Sequence, residues 1–178
     1  FPMTKPFLIM QLRPEDDTSD NEYEAILKYG RLDPQEASRL RIEKNGIPDN
    51  LALDQYSGII VGGSPFDIST PKQDKSAIQK KIEGDFNKLF DVVVANDIPF
   101  LGACSGNGLL GSYLGTSISC RYGEPVGCVQ VDITEAGKAD PLLSGFPEQI
   151  NVLLGHKEAC DTVPDGATLL MTGNACPV

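Results

Sequence analysis

The segment FLGACSGNGLLG, Phe100 to Gly111, holds the residues of this chain best suited to chemistry, and two patterns overlap in it. Gly106, Gly108 and Gly111 fit the spacing of a dinucleotide-binding turn, where glycines let the backbone approach a pyrophosphate and an acid about 20 residues on holds the ribose. Glu124 lies eighteen residues after Gly106. That acid belongs at the end of a strand, however, whereas Gly123-Glu124-Pro125 reads as a turn. In the second pattern Gly102 and Gly106 flank Cys104, as around a nucleophile carried on a sharp strand-to-helix turn. A thiol there stands clear of the sheet, the amides of the helix start favour thiolate, and the next N–H, that of Ser105, can hold an oxyanion. The small neighbours Ala103 and Ser105 allow the strained bend. A second oxyanion donor should come from the end of a neighbouring strand, and Gly62-Gly63-Ser64 offers such a turn. From composition alone Cys104 reads as a small buried hydrophobe, as most free cysteines do, and Cys120, Cys128, Cys160 and Cys176 keep that reading.

His156 is the only histidine, which excludes any site built on two imidazole ligands. His156-Lys157-Glu158 has the spacing of a base and its carboxylate, and a cysteine nucleophile needs a base. A histidine simply hydrogen-bonded in a turn is the bland alternative. The five cysteines are odd in number, widely spaced and free of any Cys-x-x-Cys pair, so reduced thiols are expected rather than a disulfide framework or zinc ribbon. No metal and no cofactor, NAD and FAD included, is expected.

These residues need elements to hold them. The apolar run from Pro6 to Leu12 predicts a first strand. Ser19 and Asp20 offer caps for a helix near Asn21 to Tyr29, and a second strand is expected within Ser38 to Glu43. Ser57 to Gly63 reads as a buried strand stopping at paired glycines. Ile78, Ile82, Phe86, Leu89 and Val93 recur at helical spacing and predict an amphipathic helix between Asp74 and Asn96. Ile98 to Cys104 is then a strand and Gly106 to Leu114 a helix. Beyond Arg121 the pattern turns to strands, at Gly127 to Thr134, Gln149 to Leu154 and Thr168 to Thr172. Alternating strands and helices followed by strands predict an α/β fold, a mostly parallel central sheet flanked by helices with an antiparallel edge.

At 178 residues the chain has the size of one domain. Its net charge of −10 opposes phosphate backbones and anionic membrane surfaces, so neither nucleic acid nor membrane is an expected partner. No apolar run approaches the roughly 18 residues of a membrane span. The first residues lack the pattern of a secretory signal, which makes the cytoplasm the expected compartment.

The segments PFLGACSGNGLLG, SGIIVGGSP and GHKEACDTVPDGATLLMTGNACPV together resemble the class I glutamine amidotransferases, specifically their GMP-synthetase-like, stand-alone members. The resemblance runs from about Tyr56 to the last residue and is weaker before it. It implies that family's flavodoxin-like α/β fold, and it makes Cys104 the nucleophile that attacks a glutamine side-chain amide, forms a thioester and releases ammonia for a synthetase partner or another acceptor. Ser105 then supplies one oxyanion amide and the Gly63-Ser64 region the other. The family's turn reads Gly-x-Cys-x-Gly-x-Gln, so its substrate-holding glutamine falls on Gly108. A different γ-glutamyl amide is accordingly an alternative substrate, and a non-catalytic binding domain a third reading. Gly155 and His156 resemble the family's Ser-His-x-Asp segment, whose backbone lies beside the substrate's α-amino and carboxylate groups. The family's catalytic His-Pro-Glu follows the Cys-Pro-Val run. On this resemblance residues 1–178 are a single domain lacking its C-terminal part, with the catalytic histidine and glutamate expected beyond Val178.

Overall fold

In the computed structural model, which describes residues 5–177, three short apolar runs and the mixed segment Ala37–Arg41 pair in parallel. The strands are β1 (Phe7–Gln11), β2 (Ala37–Arg41), β3 (Gly58–Val61) and β4 (Phe100–Gly102), in the order β2-β1-β3-β4. Parallel neighbours need crossovers, and helices supply them: α1 (Asp16–Gly30) between β1 and β2, and α3 (Ala77–Ala95) between β3 and β4. A single turn, α2 (Ile42–Asn45), follows β2. The expected second strand therefore stops at Arg41, where Ile42 and Glu43 turn into that helix instead.

The first of two compact units ends at Leu110. Leu8, Ile9, Met10, Ile59 and Val61 of the central strands are fully buried, and Ile82, Phe86, Leu89, Phe90 and Val93 of α3 join them. Of the helical set expected from spacing, only Ile78 is exposed. The Ser76 hydroxyl caps α3 by accepting from the Gln79 N–H at 3.2 Å. Phe90 packs edge-on against Phe100, ring centroids 5.2 Å apart, which ties α3 to the strand that carries the cysteine turn.

Helix α1 departs from expectation. It starts at Asp16, with Glu15 at its cap position, so Ser19 does not cap it. Ser19 is buried inside the first turns, its carbonyl accepting from Gln11 at 2.6 Å and its hydroxyl from Arg39 at 3.0 Å. Asp16 and Asp17 complement the positive end of the helix.

The second unit starts at Gly111, within α4 (Ser105–Tyr113). Here the strands are antiparallel and form sheets of their own. β6 (Glu124–Ile133) lies between β7 (Gln149–His156) and β9 (Met171–Gly173), and β5 (Ile118–Ser119) pairs with β8 (Ala159–Cys160). The segment read as a turn at Glu124 is the start of β6. Its ladder with β7 is broken by a bulge between Glu124 and Gly127, and Pro125, which has no N–H to contribute, sits inside that bulge. The last strand begins three residues later than expected, because the Leu169 carbonyl accepts from the Thr134 hydroxyl that caps the short helix α5 (Glu135–Ala139). Among the described residues no helix is long and apolar enough to cross a membrane.

Candidate active site

β3 and β4 are neighbours in register, Val61 opposite Gly102, so both deliver their following turns to the same end of the sheet. After Gly102 the Ala103 N–H still donates to the Val61 carbonyl at 2.9 Å, and the chain then bends through Cys104 into α4. Cys104 has φ +54°, a left-handed conformation that costs a non-glycine residue about 1–2 kcal/mol. The bend also brings backbone against backbone. A Cβ on Gly102 would lie 2.6 Å from the Gly106 carbonyl carbon, and one on Gly106 would lie 2.8 Å from the Val61 oxygen. Any side chain at either position would push the turn open. The outcome is an exposed Cys104 followed by a buried Ser105 at the start of a helix, where the first amides lack acceptors within the helix.

The turn after β3 meets this bend directly. A Cβ on Gly63 would sit 3.7 Å from the Cys104 sulfur, so the thiol lies beside that glycine. The Ser64 N–H donates to the Ser105 hydroxyl at 2.9 Å, and the two hydroxyls are also 2.9 Å apart. The Gly63 N–H donates to Glu22 Oε1 at 3.0 Å. Gly63, Ser64, Cys104 and Ser105 are thus brought together as the sequence suggested, with the Gly63 and Ser64 amides already engaged by side chains. Gly108 follows one turn on, its N–H donating to the Cys104 carbonyl at 3.1 Å. It is buried with its α-carbon toward Ile68, whose Cδ1 would be 2.7 Å from an added Cβ.

Sequence reasoning missed three polar residues here. Glu22, on α1, accepts from Arg13 Nε at 3.0 Å and from Gln11 Nε2 at 3.0 Å besides Gly63. Arg13 Nη2 fills the space that a side chain on Gly63 would need, so a guanidinium and a thiol flank one glycine. Gln11 is fully buried at the end of β1. The available signal was Gln11 and Arg13 closing an apolar strand, since polar groups at the carboxyl end of a buried parallel strand require partners.

In the second unit His156 ends β7 directly opposite Glu124 of β6, and its Nε2 is 3.1 Å from Glu124 Oε2. The carboxylate beside the imidazole is therefore Glu124, whereas Glu158 contributes its backbone oxygen, 3.3 Å from Nδ1. Cys176 completes a cluster whose ligating atoms all lie within 4.8 Å of one another. Gly155 is exposed, on the opposite face of β7 from His156, with its α-carbon against Val126. The acid that a dinucleotide reading requires is thus committed to an imidazole on a sheet. Burial pushes the Cys160 thiol up, with Cys176 and Asp161 adding to the effect.

The sequence and the fold are matched by known proteins. The class-I glutamine amidotransferase family model matches residues 24–177, and the chain belongs to that family. One of the subunits of the glutamine-hydrolysing GMP synthase of Methanoregula boonei is 31% identical over 134 residues, covering 75% of this chain and 62% of that protein. Its counterpart from Methanobrevibacter smithii is 26% identical, covering 78% of this chain and 66% of its own length. The chain thus spans about two thirds of these relatives. The crystal structure of a glutamine amidotransferase from Thermotoga maritima shares the fold, with a TM-score of 0.73 at 20% identity over 98% of this chain and 70% of that one.

Proposed function

We propose that this protein hydrolyses the side-chain amide of glutamine through a thioester on Cys104 and delivers the ammonia to a synthetase partner or another acceptor. The observation that carries the reading is the exposed Cys104, held at φ +54° between the end of β4 and a helix start. The thiolate attacks the amide carbon, and the oxyanion that forms is held by the Ser105 N–H and by the Gly63-Ser64 turn. The C–N bond then breaks with proton transfer to nitrogen, ammonia leaves, and water cleaves the thioester to glutamate and the free thiol. For the Gly63 amide to join, Glu22 must release it, which substrate binding would drive. The base that takes the thiol proton is proposed to be a histidine outside residues 1–178.

Support for an ammonia-accepting partner is the likeness to two proteins named as subunits of a glutamine-hydrolysing synthase. Glutamate release from glutamine by the full-length protein, with and without its synthetase partner, tests the reading. Cys104→Ala should reduce it to background; turnover retained by that variant would exclude Cys104 as nucleophile. Gly108, buried against Ile68 at the motif position where the resemblance implies a glutamine, favours a second substrate reading, another γ-glutamyl amide. A panel of γ-glutamyl amides separates the two by their kcat/KM.

A further inference from the structure

We propose that Glu124, His156 and Cys176 form a zinc site, separate in chemistry from the cysteine turn. Their ligating atoms, a carboxylate oxygen, a ring nitrogen and a thiol sulfur, lie within 4.8 Å of one another. Tetrahedral zinc with bonds of about 2.0–2.3 Å sets its donors roughly 3.3–3.8 Å apart. The His156 Nε2 to Glu124 Oε2 separation of 3.1 Å is close to that already, and rotation of a cysteine side chain covers the remainder.

The donors are placed by the backbone rather than by chance proximity of surface chains. Glu124 and His156 are register partners across β6 and β7. Cys176 is fixed by a turn in which the Gly173 N–H donates to its carbonyl at 3.0 Å, and the Thr172 hydroxyl donates to the Pro177 carbonyl at 3.0 Å. The side chains of Glu124 and His156 are only 10% and 20% exposed, so little solvent reordering stands between the present arrangement and a bound ion. They line a cavity of about 410 Å³ whose other walls include Val131, Val152 and Leu154. Its size leaves room for a water or another ligand at a fourth position.

The orientation of the imidazole is compatible with a metal ion on Nε2. Nδ1 faces the Glu158 carbonyl at 3.3 Å while Nε2 faces a carboxylate oxygen. A ring with one N–H satisfies only one of these two acceptors, whereas a doubly protonated ring or a ring with a metal ion on Nε2 satisfies both. A metal ion on Nε2 satisfies both, because Nδ1–H then donates to the carbonyl, the backing interaction usual behind metal-bound histidine. The donor set of one thiolate, one imidazole and one carboxylate matches the borderline softness of Zn²⁺ better than that of Mg²⁺ or Ca²⁺. Binding replaces the Cys176 thiol proton with the metal and releases one proton. The ion would fasten the segment after β9 to the β6–β7 pair, and it would occupy the nitrogen that a base role for His156 requires.

The test uses the full-length protein, stripped with a chelator and titrated with Co²⁺ as probe and then Zn²⁺. One equivalent of Co²⁺ should give a thiolate-to-metal charge-transfer band in the near ultraviolet with strong tetrahedral visible bands, and Zn²⁺ should erase both. Cys176→Ser should abolish the charge-transfer band, and Glu124→Gln should weaken Zn²⁺ binding at least about 10-fold. Cys104→Ser should leave spectrum and affinity unchanged. Zn²⁺ should raise the melting temperature of the wild type and of Cys104→Ser, but not of Cys176→Ser. A stripped protein that gives no charge-transfer band, or a band that survives in Cys176→Ser, overturns the proposal. Circular dichroism identifies any variant that fails to fold, and Glu124→Gln, which keeps the side-chain shape, then decides alone.

Discussion

The two units hold polar chemistry in different ways. In the first, β1 is buried along nearly its whole length, and the polar residues Gln11 and Arg13 collect where the strand ends. Gln11, Arg13, Gly63 and Cys104 all sit at or just beyond carboxyl ends of β1, β3 and β4, which is where parallel sheets place their sites. In the second, β7 alternates exposed and half-buried residues, and that period of two puts Ile150, Val152, Leu154 and His156 on one face. There a polar cluster is built by register across strands. Leu153 and Val126, by contrast, are 87% and 93% exposed. A strand end fixes a reactive group through backbone strain, whereas a sheet face fixes it through pairing.

The sharpest way to break this contrast is to compare the thiols. A glutamine-analogue electrophile should label Cys104 at least about ten times faster than Cys160, because the first is exposed at a helix start and burial pushes the second thiol up. Peptide mapping after timed labelling measures the ratio, and equal rates would mean the turn confers no activation. Stability should diverge between the units as well. Phe86→Ala empties a fully buried position under the parallel sheet and should cost about 3–5 kcal/mol in denaturant unfolding. Leu153→Ala removes a side chain already in water and should stay within about 0.5 kcal/mol.

Much of the first unit was legible because buried parallel strands and an amphipathic helix have strong periodic signals. β1, β3, α3, β4 and the bend at Cys104 all lie where the sequence placed them. What escaped was partnership. Ser19 looked like a helix cap, but α1 begins earlier and turns Ser19 inward, so the network joining Gln11, Glu22, Arg13 and Gly63 could not be read locally. In the second unit Pro125 suggested a turn, because a bulge that accommodates proline leaves no trace in hydropathy. The Glu124–His156 pairing spans 32 positions and exists only through the β6–β7 register. β5 and β8, two residues each, are too short to show any period.

The network behind the cysteine turn gives a third prediction. Glu22→Ala strips the acceptor from the Gly63 amide, the Gln11 amide and the Arg13 guanidinium together, and a buried donor left without an acceptor costs about 1–3 kcal/mol. Chemical denaturation should show a loss in that range, smaller than that of Phe86→Ala. If the glutaminase reading holds, the same change should alter KM and kcat together, since it disturbs the turn that faces the thiol. A stability loss below about 0.5 kcal/mol would show that water replaces the carboxylate freely.

The smallest effect separates buried from solvent-exposed electrostatics within the first unit. Asp16 accepts from Lys44, and from Arg41 at 2.9 Å, and these hydrogen bonds hold its carboxyl below the usual carboxylate value. Because the folded pKa is depressed, any stability from the pair is present above the unfolded carboxylate pKa and disappears as pH falls through the folded one. The Asp16 side chain is 67% exposed, so salt should screen the pair. Thermal melts of the wild type and Asp16→Asn should therefore differ slightly at neutral pH in low salt. The two curves should converge in high salt and again below the carboxylate range. A gap that persisted in acid would place the effect of Asp16 in packing or helix capping rather than in its charge.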